Sequence, residues 1–149
     1  MKDSGHMNGI FAVVLAVNNL DAAIESYKKL GFEFLERTPR AAWGLEAAQF
    51  KMGGNTKLEL LAAVDLEKPT AQTVKKFLDK NGEGVYQIAV LVDDLDAVYG
   101  QVKESGARML GEPHFLPSHP GVKVMWVSPK STHGVFLEFM HRGEAGNKA

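Results

Sequence analysis

An internal repeat is the feature of this sequence that most restricts its fold. Residues 9–31 align without a gap on residues 84–106, at a constant offset of 75, and 7 of the 23 aligned positions are identical. Average composition would supply roughly one or two identities over such a length. The sequence of 149 residues is therefore expected to contain one structural unit twice.

Each copy of the repeat has the pattern of a strand followed by a helix. The copies open with apolar, β-branched runs at residues 10–17 and 85–92, which are typical of strands. Asn19 and Asp94 come next, and such side chains cap helices because their oxygens accept N–H groups of the first turn. Apolar residues then recur at spacings of three and four up to a glycine, which predicts a helix with one buried face.

Three further strand candidates follow each predicted helix. They are residues 32–37, 45–52 and 56–61 in the first copy, and residues 107–110, 122–127 and 135–140 in the second. Each half therefore reads βαβββ. The predicted fold is α+β, with two tandem βαβββ modules forming a curved sheet around a cleft that alternate residues of both halves line.

The predicted organisation follows from these elements. We expect a flexible N-terminus at residues 1–8, a first module at 9–64, a connecting helix at 65–83, a second module at 84–141 and a flexible tail at 142–149. Between the second and third strands of the second module, the segment "GEPHFLPSHPG" has the glycine and proline content of a loop. It is either a plain surface loop or a lid that brings His119 to the cleft.

Composition excludes several classes of function. The formal net charge of -1 and the scattered lysines give no basis for nucleic-acid binding, and no cysteine is present for disulfides or thiolate chemistry. The longest apolar run, residues 10–17, is far shorter than the roughly 18 residues of a membrane span. The first residues lack the apolar core of a signal peptide. We expect a protein of the cytoplasm without membrane contact.

Polar residues within apolar strands are the candidate site residues. Glu59 and Glu138 occupy matching places in the last strand of each half, and Gln87 lies in the first strand of the second half, where the repeat partner is Ala12. The glutamates either point to solvent from half-exposed strands or converge in the cleft. Their repetition favours convergence. Gln87 by itself is more often a hydrogen-bonded strand residue than a ligand.

Three segments, "GNTKLELL", "NGEGVYQIAVLVDDLDAV" and "PKSTHGVFLEF", resemble the vicinal oxygen chelate superfamily of glyoxalase and bleomycin resistance proteins. The closest likeness is to methylmalonyl-CoA epimerases, and it extends over about residues 10–140. The resemblance implies paired βαβββ modules around a metal cleft, often in a homodimer. It also implies a small-molecule substrate, such as an acyl-CoA, rather than a nucleic acid or a membrane.

The resemblance also implies a set of metal ligands. Members of the superfamily commonly use a His, a Gln or Glu, a second His and a final Glu, which fall here on Ala12, Glu59, Gln87 and Glu138. Neither histidine is present. Glu59, Gln87 and Glu138 would then hold a hard divalent ion such as Mg²⁺, Mn²⁺ or Co²⁺, or the metal is absent. The resemblance implies no organic cofactor.

Two functions remain open at this stage. The first is an epimerase-like isomerase or lyase that acts through an enolate on a small acyl-CoA or carboxylate substrate, with Glu138 and Glu46 as the bases. Glu46 lies only near the implied position, because "MGGNTK" carries an extra glycine. The alternative is a metal-free member of the same fold, which either sequesters a small molecule, as antibiotic-binding members do, or performs different chemistry in the cleft.

Overall fold

The structure is a computed structural model that describes residues 6–143. These residues fall into two compact units, one of residues 12–86 and the other of residues 6–11 together with 87–143. The predicted flexible ends lie largely outside the described residues. Where they are described, the expectation is wrong, because Met7 begins a strand and Arg142 ends one.

The described residues form eight strands and three α-helices. The first module contains β1 (Met7–Ala16), α1 (Leu20–Lys29), β2 (Glu33–Arg40), β3 (Leu45–Lys51) and β4 (Lys57–Ala63), and α2 (Pro69–Asn81) follows it. The second contains β5 (Gly84–Val92), α3 (Leu95–Ser105), β6 (His114–Leu116), β7 (His119–Val127) and β8 (Phe136–Arg142). This order confirms the α+β fold class with two tandem βαβββ modules. None of the helices within residues 6–143 is long and apolar enough to cross a membrane.

The two modules share one strand topology. The strand order is β2-β3-β4-β1 in the first and β6-β7-β8-β5 in the second, and within each order only the last pair is parallel. The helix between the first and second strands of each module lets these two strands run in the same direction. The two antiparallel pairings that follow then bring the last strand parallel to the first. The predicted caps are present, because Asn19 and Asp94 accept hydrogen bonds from the backbone N–H groups of Ala22 and Ala97, both at 3.0 Å.

Each helix packs on one face of the strands in its own module. In the first, α1 buries Leu20 and Ile24 against Phe50 and Leu60. In the second, α3 buries Leu95 and Val98 in a core that includes Met125. Burying these apolar side chains is the main source of stability in each module, at roughly 25 cal/mol per Å² of apolar surface. The helix of each module does not pack on the opposite face of its strands.

The region after α3 differs from the prediction. Residues 107–110 do not form a strand, because only Met109 pairs, in an isolated bridge with Val127. The strand is β6 instead, and it joins β7 in a hairpin through a two-residue turn at 117–118, so the predicted loop or lid around His119 is wrong. The hairpin accepts Pro120, which has no N–H to donate, because an irregularity in the pairing falls at this position.

Gly44 closes the connection between β2 and β3. A 3-10 turn at Ala41–Trp43 ends at this glycine, which has a φ of 69°, and its carbonyl oxygen accepts hydrogen bonds from the N–H groups of Val64 at 2.8 Å and Asp65 at 3.0 Å. A Cβ at this position would lie 2.4 Å from the carbonyl oxygen of Asp65. Only glycine combines this left-handed backbone with so close an approach.

Replacing Gly44 tests this close approach. We expect Gly44→Ala to lower the free energy of unfolding by about 2–3 kcal/mol, through backbone strain and the clash with the neighbouring backbone. Gly54→Ala is the control, because Gly54 has a φ of 56° but nothing lies within 4 Å of its added Cβ. It should cost about 1 kcal/mol. Urea unfolding followed by circular dichroism measures both, and equal losses would contradict the importance of the clash.

Candidate functional site

Glu59 lies on the face of the first module that points away from α1. Phe50 of β3 and Leu58 and Leu60 of β4 belong to the core that includes α1. Because side chains alternate along a strand, Gln49 and Glu59 lie on the other face. They are also direct partners in the pairing of β3 with β4. Glu59 is nevertheless only 5% exposed, which excludes the solvent-facing interpretation of this residue.

The carboxylate of Glu59 is held by two neighbouring side chains. The Arg40 guanidinium donates from Nη2 to Oε1 at 2.5 Å and from Nη1 to Oε2 at 3.3 Å, and Gln49 Nε2 donates to Oε1 at 2.9 Å. The side chain of Arg40 is 19% exposed and that of Glu59 is 7% exposed. A buried carboxylate must be paired, and this two-pronged ion pair balances its charge.

Glu138 occupies the matching position in the second module. Met125 and Phe139 pack in the core that includes α3, so Trp126 and Glu138 lie on the opposite face by alternation. They too are direct partners across neighbouring strands, and the indole Nε1 of Trp126 donates to Glu138 Oε1 at 2.8 Å. Glu138 is 8% exposed. Both modules therefore hold a buried glutamate through an N–H donor on the facing residue of the adjacent strand.

The two glutamates differ in the side chains that donate hydrogen bonds to them. Glu59 meets the fixed positive charge of Arg40, whereas the indole that donates to Glu138 carries no charge. Arg40 and Gln49 together contact both carboxylate oxygens of Glu59.

His114 lies beside Trp126 on the same face of the second module. Its ring meets the Trp126 ring edge to face, with centroids 4.8 Å apart, and its Nδ1 is 2.9 Å from the carbonyl oxygen of Glu112. A carbonyl oxygen only accepts hydrogen bonds, so Nδ1 carries the proton and Nε2 of the neutral ring carries the lone pair. His114 is not among the site residues predicted from the sequence.

The positions that the resemblance gives to histidines carry no metal-binding ring. Ala12 is buried at 3% exposure, and its methyl group offers no lone pair. Gln87 pairs in register with Phe136 on β8. Val92 of the same strand packs in the core that includes α3, so by alternation Gln87 lies on the opposite face, together with Ala89 and Leu91. The role of Gln87 as a ligand stays a prediction.

Glu46 lies on the opposite side of β3 from Gln49. Its carboxylate accepts a hydrogen bond from Nε of Arg37, and the same guanidinium donates to Asp21 of α1. These two carboxylates raise the pKa of Arg37 above its ordinary value, so the guanidinium stays charged. This contact with α1 places Glu46 on the helix-facing side of the sheet. The predicted role of Glu46 as a base is untested, and its position gives that role no support.

The described residues do not fit a divalent metal ion. No group of three or more His, Asp or Glu side chains within residues 6–143 is placed to hold one. Glu59 is already bound by Arg40, whose fixed positive charge would repel a cation. Two of the three predicted ligands, Gln87 and Glu138, belong to one compact unit, and together they offer a single carboxylate. The predicted metal set therefore gains no support from the chemistry of these donors.

Comparison with known proteins agrees with the fold. Residues 12–126 match the Glyoxalase/Bleomycin resistance protein/Dioxygenase superfamily. The mitochondrial methylmalonyl-CoA epimerase of Homo sapiens is 33% identical over 128 residues, which cover 85% of this chain and 69% of that protein. The crystal structure of methylmalonyl-CoA epimerase from Mycobacterium tuberculosis superposes with a TM-score of 0.80 at 28% identity, covering 100% of this chain and 97% of that one.

A further solved structure is that of a methylmalonyl-CoA epimerase in complex with methylmalonyl-CoA and NH4+. It has a TM-score of 0.79 and 30% identity, and the match covers 94% of this chain and 98% of that chain. The sequence match over most of the chain and the shared βαβββ modules lead to one conclusion. The chain belongs to the glyoxalase/bleomycin resistance protein/dioxygenase superfamily, and it shares the vicinal oxygen chelate fold with methylmalonyl-CoA epimerases.

Proposed function

We propose that the protein is an epimerase-like isomerase that moves a proton at the carbon next to the thioester carbonyl of a small acyl-CoA. The observation that carries this proposal is Glu138, a buried carboxylate that a neutral donor holds on the face away from α3. Relatives of about 30% identity include a methylmalonyl-CoA epimerase in complex with methylmalonyl-CoA, which supports a substrate of that class.

Glu138 is the proposed base. Its carboxylate accepts the α-proton, the C–H bond breaks, and the electron pair moves into the thioester carbonyl to give an enolate. Return of a proton to the opposite face of the α-carbon then gives the other epimer. Trp126 contributes by holding the carboxylate of Glu138 in position through its indole N–H. Positioned proton transfer of this kind contributes typically about 10²–10⁴-fold to a rate.

His114 is the proposed partner of Glu138 in proton transfer. An epimerisation needs two such groups, because the proton leaves one face of the carbon and returns to the other. His114 lies next to Trp126, and the hydrogen bond to Glu112 fixes its tautomer. The lone pair of a neutral imidazole can accept a proton, and an imidazolium can donate one. Its Nε2 is thus suited to the second transfer.

The two-group mechanism predicts a specific effect of His114→Gln. We expect interconversion of the epimers to fall about tenfold or more, because one of the two proton transfers is lost. Exchange of the α-proton with solvent should persist for the epimer that Glu138 serves. Separation of the epimers by coupled assay, together with ¹H NMR of each epimer in D₂O, measures the two rates. An equal loss of both rates for both epimers would contradict the assignment.

The experiment that tests the activity is deuterium exchange at C2 of methylmalonyl-CoA. The reaction is followed by mass spectrometry, once with a chelator and once each with added Mg²⁺, Mn²⁺ and Co²⁺. We expect exchange above the uncatalysed rate in the presence of the chelator. Absence of exchange under all four conditions would remove this activity.

A non-catalytic ligand-binding protein of the same fold is the second candidate. The observation that favours it is Arg40, which holds Glu59 where the resemblance implies a metal ligand. Such a protein would bind an acyl-CoA or another small anion without exchanging its α-proton. Tight binding in calorimetry combined with no deuterium exchange would support this candidate over the enzyme.

The homodimer and the cytoplasmic location also belong to this proposal. The resemblance to the superfamily supports the dimer, and the composition of the chain supports the location. Size-exclusion chromatography with light scattering tests the first, and a mass of two chains is expected.

A further inference from the structure

We infer that Arg40 takes the place of a metal ion, and that its guanidinium binds the free carboxylate of a substrate of the malonyl-CoA type. This inference rests on the proposed function for the identity of the ligand. The ion pair between Arg40 and Glu59 is observed within the first module and does not depend on the proposed function.

The pair of Arg40 and Glu59 is a built feature of the first module. Glu59 is fixed in the middle of β4, and Gln49 holds it from the facing position on β3. Arg40 is the last residue of β2, directly before the turn that Gly44 closes. The hydrogen bonds that Nη1 and Nη2 of Arg40 donate to Glu59 fix the plane of the guanidinium group. A planar group held in this way is already arranged for a second planar anion.

The guanidinium has donors left for such an anion. A guanidinium carries five N–H groups, and two of those on Arg40 donate to Glu59, which leaves three. The side chain is 19% exposed, compared with 7% for Glu59, so the arginine is the member of the pair that a ligand can reach. Two parallel N–H groups match the two oxygens of a carboxylate.

The ion pair with Arg40 leaves the carboxylate of Glu59 unavailable to a metal ion. A divalent ion would need a carboxylate that is free to coordinate it, but the carboxylate of Glu59 is already paired with Arg40. This pairing is permanent in charge, because a guanidinium is always protonated in proteins. An acyl-CoA with a carboxylate on its α-carbon can accept hydrogen bonds from the remaining N–H groups of Arg40.

Two CoA esters that differ in one carboxylate test the inference. Affinities of malonyl-CoA and acetyl-CoA are measured by calorimetry in EDTA for the wild type, Arg40→Gln and Arg37→Gln. We expect the wild type to prefer malonyl-CoA by about tenfold or more, as a charge-assisted hydrogen bond provides. Arg40→Gln should bring the ratio near one. Arg37→Gln is the matched control, because Arg37 lies on the same strand but on the side of α1.

The double variant Arg40→Gln/Glu59→Gln covers the case in which the single variant does not fold, since no unpaired charge is left. It should also show a ratio near one. A preference that survives loss of Arg40, or one that vanishes in EDTA and returns with Mn²⁺, would overturn the inference, as would failure of malonyl-CoA to bind. If the preference depends on Arg40 but no deuterium is exchanged, the activity is refuted and the binding site stands.

Discussion

Glu138→Gln is expected to lower the rate of epimer interconversion by about 10³-fold, because glutamine cannot accept the α-proton. The amide oxygen can still accept the hydrogen bond from Trp126, so the strand pairing and the fold should persist. Exchange in D₂O should vanish for the epimer that Glu138 serves and persist for the epimer that His114 serves. This is the mirror image of the result expected for His114→Gln. The same NMR experiment measures both variants.

Glu46→Gln tests whether Glu46 acts as a base in addition to Glu138. Its carboxylate pairs with Arg37 on the side of β3 that faces α1, so we expect the interconversion rate to stay within about twofold of the wild type. A loss similar to that of Glu138→Gln would show that Glu46 is the second base, as the resemblance implies. Circular dichroism spectra that match the wild type establish that each variant is folded.

Arg40→Gln is expected to lower the free energy of unfolding by about 3 kcal/mol, because it leaves the carboxylate of Glu59 buried without its counter-charge. The double variant Arg40→Gln/Glu59→Gln should recover most of this loss, to within about 1 kcal/mol of the wild type, since neither charge remains. Gln49 keeps an oxygen to which it can donate. Urea unfolding of the wild type, both single variants and the double variant completes the cycle.

Arg37→Gln is the control for the position of the ion pair. Arg37 contacts two carboxylates, but its side chain is 39% exposed and that of Asp21 is 79% exposed, compared with 19% and 7% for Arg40 and Glu59. Solvent screens such pairs, so the variant should unfold at nearly the urea concentration of the wild type. If loss of Arg37 costs as much as loss of Arg40, burial is not the reason for the effect.

The repeat was sufficient to predict the modules because it preserves the elements that build them. The apolar alternation, the caps at Asn19 and Asp94 and the glycines after each helix are local signals. The strand at β6 was missed for a local reason too. It has only three residues, and prolines flank it at 113 and 117, so its composition is that of a loop.

The partners of the glutamates were harder to foresee. Gln49 could have been found, because the turn after β3 sets the register that places it opposite Glu59. Arg40 could not, since it lies 19 residues from Glu59 and its reach depends on how the 3-10 turn ends β2. His114 was hidden by the error in the position of β6. Long-range side-chain contacts of this kind depend on tertiary packing, and the periodic patterns of the sequence do not predict them.

The contact between Trp126 and Glu138 also gives the protein an internal optical probe. The chain has 2 tryptophans, so Trp43→Phe leaves an indole whose N–H is bonded to the proposed base. Indole emission responds to changes in hydrogen bonding and polarity. Arrival of a ligand at Glu138 would thus be visible as a fluorescence change in stopped flow, without any label on the ligand.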